Sequence, residues 1–91
     1  GKKATTHWNS LSSLKELKEV TTIEERTVTD GNIWTSAGIS SGIDMALSLV
    51  EHIAGEEIAG RVQFGAEYYP LNRKYGTMHL SEQSPGYMKK L

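Results

Sequence analysis

The sequence predicts a small α/β fold, on the basis of three observations. A strand–helix–strand pattern occupies residues 2–23, a hairpin turn between two strand-like runs follows it, and two helical periods occupy residues 41–70. Strands that alternate with helices are typical of α/β folds. With 91 residues, of which 37% are hydrophobic, the chain has the composition of one small folded unit.

The first strand is predicted over Lys2–Thr6, where β-compatible residues lead into a loop. Asn9 or Ser10 can cap the helix that follows, because a short polar side chain there accepts a hydrogen bond from the first helical turn. Apolar residues recur in this helix at a spacing that makes one narrow buried stripe, formed by Leu11, Leu14 and Leu17. Val20–Ile23 is then predicted as a second strand.

A β-hairpin is predicted around Asp30–Asn32, since the strand-like runs Thr27–Thr29 and Ile33–Thr35 flank this turn. The Asp-Gly step tolerates the positive φ angles of a type I′ turn. The second strand leads into Ser36–Gly38, a run of small residues in which the backbone can turn tightly.

Two amphipathic helices are predicted after the hairpin. The first begins near Ser41, with Asp44 three residues later as a capping box in which Asp replaces the usual Glu, and Gly55 ends it. Glu56–Glu57 suit the first turn of the second helix, because carboxylates are stabilised by the positive end of a helix dipole; Pro70 closes this segment. The residues predicted to face the core are Ile43, Ala46, Leu47, Val50 and Ile53 in the first helix and Ile58, Val62, Ala66 and Tyr69 in the second.

Residues 71–91 show no clear hydrophobic period and contain Gly76, Pro85 and Gly86. They are predicted to form an irregular C-terminal tail that drapes over a neighbouring surface or is partly disordered. Residues 1–70 are therefore taken as the folded part of the domain.

Charge and composition argue against several classes of protein. The formal net charge is −1 and no basic stripe with interleaved aromatic residues occurs, so nucleic-acid binding is not expected. No apolar run is long enough to span a membrane, so we expect no membrane partner and a cytoplasmic location. The three histidines lack metal-site spacing and no phosphate-binding glycine loop is present, so neither a metal nor another cofactor is expected. The chain has no cysteine, which removes thiol chemistry from these residues.

Three sequence blocks occur in a fixed order: ATTHW at residues 4–8, DGNIWTSAG at residues 30–38 and GIDMALSLV at residues 42–50. Together they resemble the C-terminal part of ThiJ/PfpI proteins, in the class I glutamine amidotransferase-like superfamily. The nearest subgroups are isocyanide-hydratase-like enzymes and the amidotransferase-like domains of AraC-type regulators. The resemblance covers Lys2 to Pro70 and implies the C-terminal portion of a doubly wound, mostly parallel, flavodoxin-like sheet, with its site at the carboxyl ends of the strands.

The resemblance also implies a catalytic cysteine that this chain does not contain. In the family this cysteine lies on a sharp strand-to-helix turn shortly before the block that corresponds to residues 4–8, near a helix N-terminus that lowers the pKa of its thiol. The nucleophile is therefore expected upstream of Gly1, in a missing N-terminal half or a partner chain. Family members commonly dimerise, so a homodimer is expected as well.

Five residues are predicted to line a pocket for a small-molecule substrate or ligand: His7, Trp8, Ser36, Ala37 and Gly38. His7 matches the family histidine near the nucleophile; it could bond to substrate, or it could be a structural histidine bonded to backbone at a strand end. Trp8 could wall the pocket, contact a second subunit or belong to the core. The three small residues could border the site through backbone groups or serve only to turn the chain.

Two functions remain as hypotheses. The first is a cysteine-dependent hydratase, lyase or hydrolase, similar to isocyanide hydratases, in which the present chain alone is inactive. The alternative is a ligand-sensing or interaction module of the same fold, as in AraC-type regulators; the 21 residues after Pro70 are too few for the helix-turn-helix pair that such regulators carry. A chain acting alone would leave a sheet edge unpaired and apolar faces uncovered.

Overall fold

The computed structural model describes all residues, from Gly1 to Leu91, and has the α/β element order that the sequence predicts. The strands are β1 (Lys2–Ala4), β2 (Val20–Thr22), β3 (Thr27–Asp30) and β4 (Ile33–Ser36). The α-helices are α1 (Leu11–Lys15), α2 (Ile39–Ala54), α3 (Glu56–Gly65) and α4 (Gly86–Lys89). Two short 3-10 helices cover Trp8–Ser10 and Met78–Leu80. None of these helices has the length and apolar character needed to cross a lipid bilayer.

β1 and β2 pair in parallel, with Lys2 opposite Val20, and α1 lies on the connection between them. A parallel pair needs such a crossover, because its two strands start at the same edge. The helix is shorter than predicted: it ends at Lys15, so Leu17 lies outside it and is 55% exposed. Ser10 occupies the N-cap position of α1 but makes no side-chain hydrogen bond there.

β3 and β4 form the predicted antiparallel hairpin, with Asp30 opposite Ile33. The two-residue loop is therefore Gly31-Asn32, one position later than the predicted Asp-Gly step. Only Gly31 has a positive φ, at 62°, whereas a type I′ turn needs a positive φ at both loop residues. A positive φ at the first loop residue alone is typical of a type II′ turn, so the predicted turn type was wrong.

Side chains of the hairpin bond to backbone groups in β1 and just after it, and these bonds join the two strand pairs. The Lys3 N–H donates to the Asp30 carboxylate at 2.7 Å, and the Thr5 N–H donates to the Thr35 hydroxyl at 3.0 Å. The Thr5 hydroxyl in turn donates to the carbonyl of Glu25 at 2.8 Å. Two separate two-stranded sheets result. β4 runs in the same direction as β1, so the carboxyl ends of both strands lie on one side of the molecule.

The N-terminus of α2 differs from its prediction. The helix begins at Ile39, two residues before the predicted start, and Gly38 is its N-cap. Ser41 does not cap it; its buried hydroxyl donates to the Gly38 carbonyl at 2.7 Å. The predicted capping box with Asp44 is therefore absent, because that carboxylate bonds to side chains from two other segments.

Gly55 ends α2 as predicted and separates it from α3. Its φ of 92° and ψ of 166° lie in a region that residues with a Cβ rarely adopt. Glu56–Glu57 occupy the first turn of α3, as the sequence predicts. This helix ends at Gly65, however, five residues before Pro70.

Very few side chains are buried, namely those of Thr5, Leu11, Ser41 and Pro85. The accessible surface of 6934 Å² exceeds the area of about 5,300 Å² expected for a compact monomer of this mass. The molecule measures 39 × 37 × 16 Å, so it is a thin slab. The faces predicted to be core are largely uncovered: Leu47 and Val50 are half-buried, whereas Ile43, Ala46, Ile53, Ile58, Val62, Ala66 and Tyr69 are exposed.

Candidate functional site

A cavity of about 310 Å³ lies where β1 and β4 end, beside the N-terminus of α2. Ligands of open α/β sheets bind at this end of the strands. The volume is at the lower limit of small-molecule pockets, which span roughly 300–1,000 Å³. The cavity is therefore the best-placed candidate site in the chain.

Four of the five predicted pocket residues line this cavity: His7, Trp8, Ala37 and Gly38. The first two follow β1 and the other two follow β4, so the parallel course of these strands brings them together. Ser36 is not among the lining residues. It is the last residue of β4, and its hydroxyl lies beside Gly42, 3.6 Å from the point where a Cβ on that glycine would stand.

His7 makes a hydrogen bond that stabilises the local backbone, and it also lines the cavity. Its Nδ1 accepts a hydrogen bond from the backbone N–H of Asn9 at 3.1 Å, which caps the 3-10 helix after β1. In a neutral imidazole that accepts at Nδ1, the proton is on Nε2. The ring lies against Gly38, where an added Cβ would be 3.8 Å from the His7 Cδ2. The two roles that the sequence left open for this histidine are thus compatible.

The polar side of the cavity is formed by the first turn of α2. Gly38, Ser40 and Ser41 line it there. The first N–H groups of a helix have no partner within the helix, and its dipole places positive potential at that end. This side of the cavity is therefore suited to a group that gains negative charge or accepts hydrogen bonds.

Arg26 also lines the cavity, although the sequence analysis did not select it. Its guanidinium donates to the Ser40 hydroxyl at 3.0 Å and pairs with the Asp44 carboxylate. The Tyr68 hydroxyl donates to the same carboxylate at 2.7 Å. Arg26 stands in no motif, and its partners lie 14 and 18 residues further along the chain, so no local pattern could have indicated it.

The carboxyl of Asp44 serves to hold this arginine. Partial burial raises the pKa of Asp44, but hydrogen bonds from Tyr68 and Arg26, with the charge of Arg26, outweigh it and hold the pKa below the ordinary value of 3.8. The hydrogen bond to Asp44 also raises the pKa of Tyr68 above 10.0. Asp44 is therefore ionised near neutral pH and fixes Arg26 beside the cavity.

The apolar side of the cavity comes from the segment predicted as an irregular tail. Tyr87, Met88 and Leu91 line it, the first two from α4. The Tyr87 hydroxyl is buried without a hydrogen-bond partner, and this burial raises the pKa of the phenol above 10.0. The sequence pattern does not indicate Tyr87 and Met88, because a helix of four residues carries no readable period, and Leu91 lies outside any helix.

A second cavity of about 150 Å³ adjoins the first. Trp8 and Met88 line both cavities, whereas Met78 and His79 line only the second. No three side chains of His, Cys, Asp or Glu lie close enough together to ligate a metal ion. The Arg26 guanidinium and the hydroxyls at the larger cavity are suited to hydrogen bonding and charge stabilisation.

Comparison with known proteins places this chain in a family. The model of the DJ-1/PfpI family matches residues 1–52. The isonitrile hydratase of Pseudomonas putida is 43% identical over 70 residues, which are 77% of this chain and 30% of that protein. The crystal structure of a THiJ/PfpI family protein from Pseudomonas syringae superposes with a TM-score of 0.75 at 29% identity, covering 99% of this chain and 36% of that one.

The chain therefore belongs to the DJ-1/PfpI family, as its three sequence blocks indicated. The α/β fold class predicted for it, the C-terminal portion of a flavodoxin-like sheet, is confirmed by the structural match. The chain spans about a third of the length of these relatives.

Proposed function

We propose that this chain forms one side of the active site of an isonitrile-hydrating enzyme. The observation that carries the proposal is the cavity at the ends of β1 and β4, where His7 meets the N-terminus of α2 in a chain 43% identical to an isonitrile hydratase. A cysteine nucleophile, absent from these 91 residues, is supplied by a segment outside them. The substrate is a small molecule, R–N≡C.

The reaction adds one water molecule to the isonitrile and gives the N-substituted formamide, R–NH–CHO. In a thiol-dependent route, the thiolate bonds to the terminal carbon, which takes a proton to give the thioimidate, S–CH=N–R. Water then adds to that carbon, the C–S bond breaks, and the nitrogen ends with one hydrogen while the thiol is restored. No oxidant or reductant is consumed.

The residues of this chain have defined parts in that route. Negative charge develops in the first step, and the first turn of α2 presents N–H donors and the positive end of its dipole to it. Arg26, held by Asp44, adds a fixed positive charge beside the same turn. The Nε2–H of His7 is the donor to the reacting groups, since its Nδ1 is occupied by the Asn9 N–H.

An unpaired strand edge and exposed apolar side chains support the proposal that a further chain segment covers this surface. Trp34 and Ser36 lie in β4 at positions whose backbone groups point away from β3, and no strand pairs with that edge. Large apolar side chains are exposed near it and elsewhere, including Ile39 at 90% and Ile53 at 75%. Unpaired edges and apolar patches of this kind mark surfaces that bind other chain segments. We propose that an N-terminal half or a partner chain covers them, within a cytoplasmic homodimer.

Hydration is tested by incubating tert-butyl isonitrile with the assembled protein, purified with the covering segment, and measuring formamide by NMR. We expect turnover by the assembly, its loss after thiol alkylation with iodoacetamide, and no turnover by the 91-residue chain alone. Turnover that resists alkylation would contradict the cysteine route. An assembly that binds the isonitrile without converting it would contradict hydration and favour the ligand-sensing module instead.

The covering segment is tested separately by light scattering on the 91-residue chain. We expect it to self-associate and to bind the apolar dye ANS, and to lose both properties when the covering segment is supplied. A monodisperse monomer with a cooperative thermal transition and no dye binding would contradict the proposed cover.

A further inference from the structure

Trp8 and Met88 belong to the linings of both cavities at the site, and we call this pair the partition. Both side chains line the cavity of about 310 Å³ and the adjoining cavity of about 150 Å³. Trp8 follows β1, whereas Met88 belongs to α4, so the partition is built from the two ends of the chain. The second cavity is open to solvent, and its volume of about 150 Å³ equals that of an enclosed cavity that holds a benzene ring in another protein.

The position of Met88 is fixed by the segment that carries it. Its N–H donates to the carbonyl of Pro85 at 3.0 Å, and that proline is buried. The Ser84 hydroxyl donates to the carbonyl of Met78 at 3.1 Å and lies 3.8 Å from the Met88 sulfur. These bonds connect α4 to the 3-10 helix at Met78–Leu80 and hold the thioether over the site.

The lining of the larger cavity combines polar and apolar groups. Arg26 and the first turn of α2 contribute polar groups, and Trp8, Met88 and Leu91 contribute apolar side chains. If the polar reacting end of a ligand lies at α2, its apolar body is left to contact Trp8 and Met88.

We propose that Met88 sets the upper size limit for the apolar group of the substrate. The inference rests on the proposed hydration of isonitriles and names the specificity determinant of that site. Shortening Met88 joins the second cavity to the first, so that a second ring on the substrate gains a place. The DJ-1/PfpI family model matches residues 1–52, so Met88 lies outside the part of the chain that this model matches.

The test compares Met88→Ala with Met78→Ala in the assembled protein. Met78 has the same side chain and lines only the second cavity, so its truncation enlarges that space but leaves the partition in place. A third variant, Met88→Leu, keeps the volume of the side chain and controls for damage to α4. Each protein is assayed with tert-butyl isonitrile and biphenyl-4-yl isonitrile, and the ratio of their kcat/KM values is measured.

Binding of the two corresponding formamides, measured by calorimetry, gives a second readout that needs no turnover. We expect Met88→Ala to shift both the kcat/KM ratio and the affinity ratio toward the biphenyl compound by about tenfold, since burying one more ring contributes at least that much. Met78→Ala and Met88→Leu should keep the wild-type ratios.

The outcomes separate the two proposals. A shifted affinity ratio without turnover of any isonitrile would contradict hydration and support the size limit. Turnover with unchanged ratios in Met88→Ala, or with equal shifts in Met78→Ala, would overturn the size limit and leave hydration standing. Loss of the wild-type ratios in Met88→Leu would likewise overturn the proposal, because that variant keeps the partition.

Discussion

Arg26 and Asp44 form an ion pair that fixes the start of the β3–β4 hairpin against α2. The Tyr68 hydroxyl, which follows α3, donates to the other oxygen of the same carboxylate. One aspartate thus connects three segments that are otherwise joined by few buried contacts. In a molecule with so small a core, this connection helps to hold α2 beside the cavity.

Replacing Asp44 should weaken this connection in a pH-dependent way. We expect Asp44→Asn to lower the free energy of unfolding by about 1 kcal/mol near pH 7, a modest value because solvent screens the half-exposed pair. The fold holds the pKa of Asp44 below 3.8, so this stabilisation is present above that pH and is lost as the pH falls through the folded-state pKa. Urea unfolding of the assembled protein at several pH values should show the variant and the wild type converging in acid.

The matched control for this change is Glu57→Gln. Glu57 pairs with Arg61 one turn later on α3, and both side chains are highly exposed, at 80% and 72%. Such pairs contribute only about 0.3–0.5 kcal/mol. A loss in Glu57→Gln as large as that in Asp44→Asn would contradict the role given to Asp44.

Removing the hydroxyl of Tyr68 and removing that of Tyr87 should affect the free energy of unfolding differently. In the assembled protein, Tyr68→Phe should lower the free energy of unfolding, because the hydroxyl bonds to Asp44. Tyr87→Phe should be neutral or stabilising, because its hydroxyl is buried without a partner. Equilibrium unfolding of both variants measures the difference, and equal losses would rule out this assignment of partners.

Tyr87 also makes the free energy of unfolding depend on pH in alkaline solution. The fold raises the pKa of Tyr87 above 10.0 by burying its neutral form. Stability should therefore be constant below about pH 10 and decrease as the pH rises through the folded-state pKa. Tyr87→Phe should lack this part of the decrease, which is measured by unfolding between about pH 9 and pH 11.

Alanine substitutions at two glycines with open surroundings distinguish the effect of backbone strain on stability from that of helix propensity. No atom lies within 4 Å of a Cβ added at Gly55 or at Gly60, so neither change causes a clash. Gly55→Ala should cost about 1–3 kcal/mol because of its φ of 92°. Gly60→Ala, within α3, should stabilise by about 0.5–1 kcal/mol. Thermal unfolding of the assembled protein measures both changes, and two changes of the same sign would contradict the backbone argument.

His7 can be tested as a cap and as a site residue independently. Asn is a good cap and can accept the Asn9 N–H as the imidazole does. His7→Asn should therefore keep the stability but lower kcat on the order of 10²-fold, as removal of a proton-transfer group does. His7→Ala should lower both the stability and kcat. Full activity in His7→Asn would show that the histidine is only a cap.

The parts of the fold that the sequence predicted well are those set by local chemistry. Gly55 marked the end of α2, and a glycine turn between β-compatible runs marked the hairpin. The start of α2 was misplaced because Ser41 bonds back to the carbonyl of Gly38 instead of capping the helix. A serine near a predicted helix start is compatible with either bond, and only the backbone course after β4 decides between them.

Only some of the residues at the cavity were predicted, because the others depend on contacts that a local pattern does not show. His7 and Trp8 were selected from a resemblance to a family, and they do lie at the cavity. Arg26 and Met88 were missed, because each reaches the cavity from a segment with no motif. Their positions depend on contacts between residues far apart in the chain, such as Arg26 with Asp44, which the order of residues does not reveal.

The 16 Å thickness of the molecule affects how readily it is degraded in a cell. In a slab this thin, nearly every apolar side chain is one layer from solvent, and the population that opens transiently is correspondingly large. Cellular proteases degrade such open populations, and a change of about 1–2 kcal/mol is enough to alter abundance several-fold. The amount of this polypeptide in a cell should therefore rise and fall with the supply of whatever protects its faces.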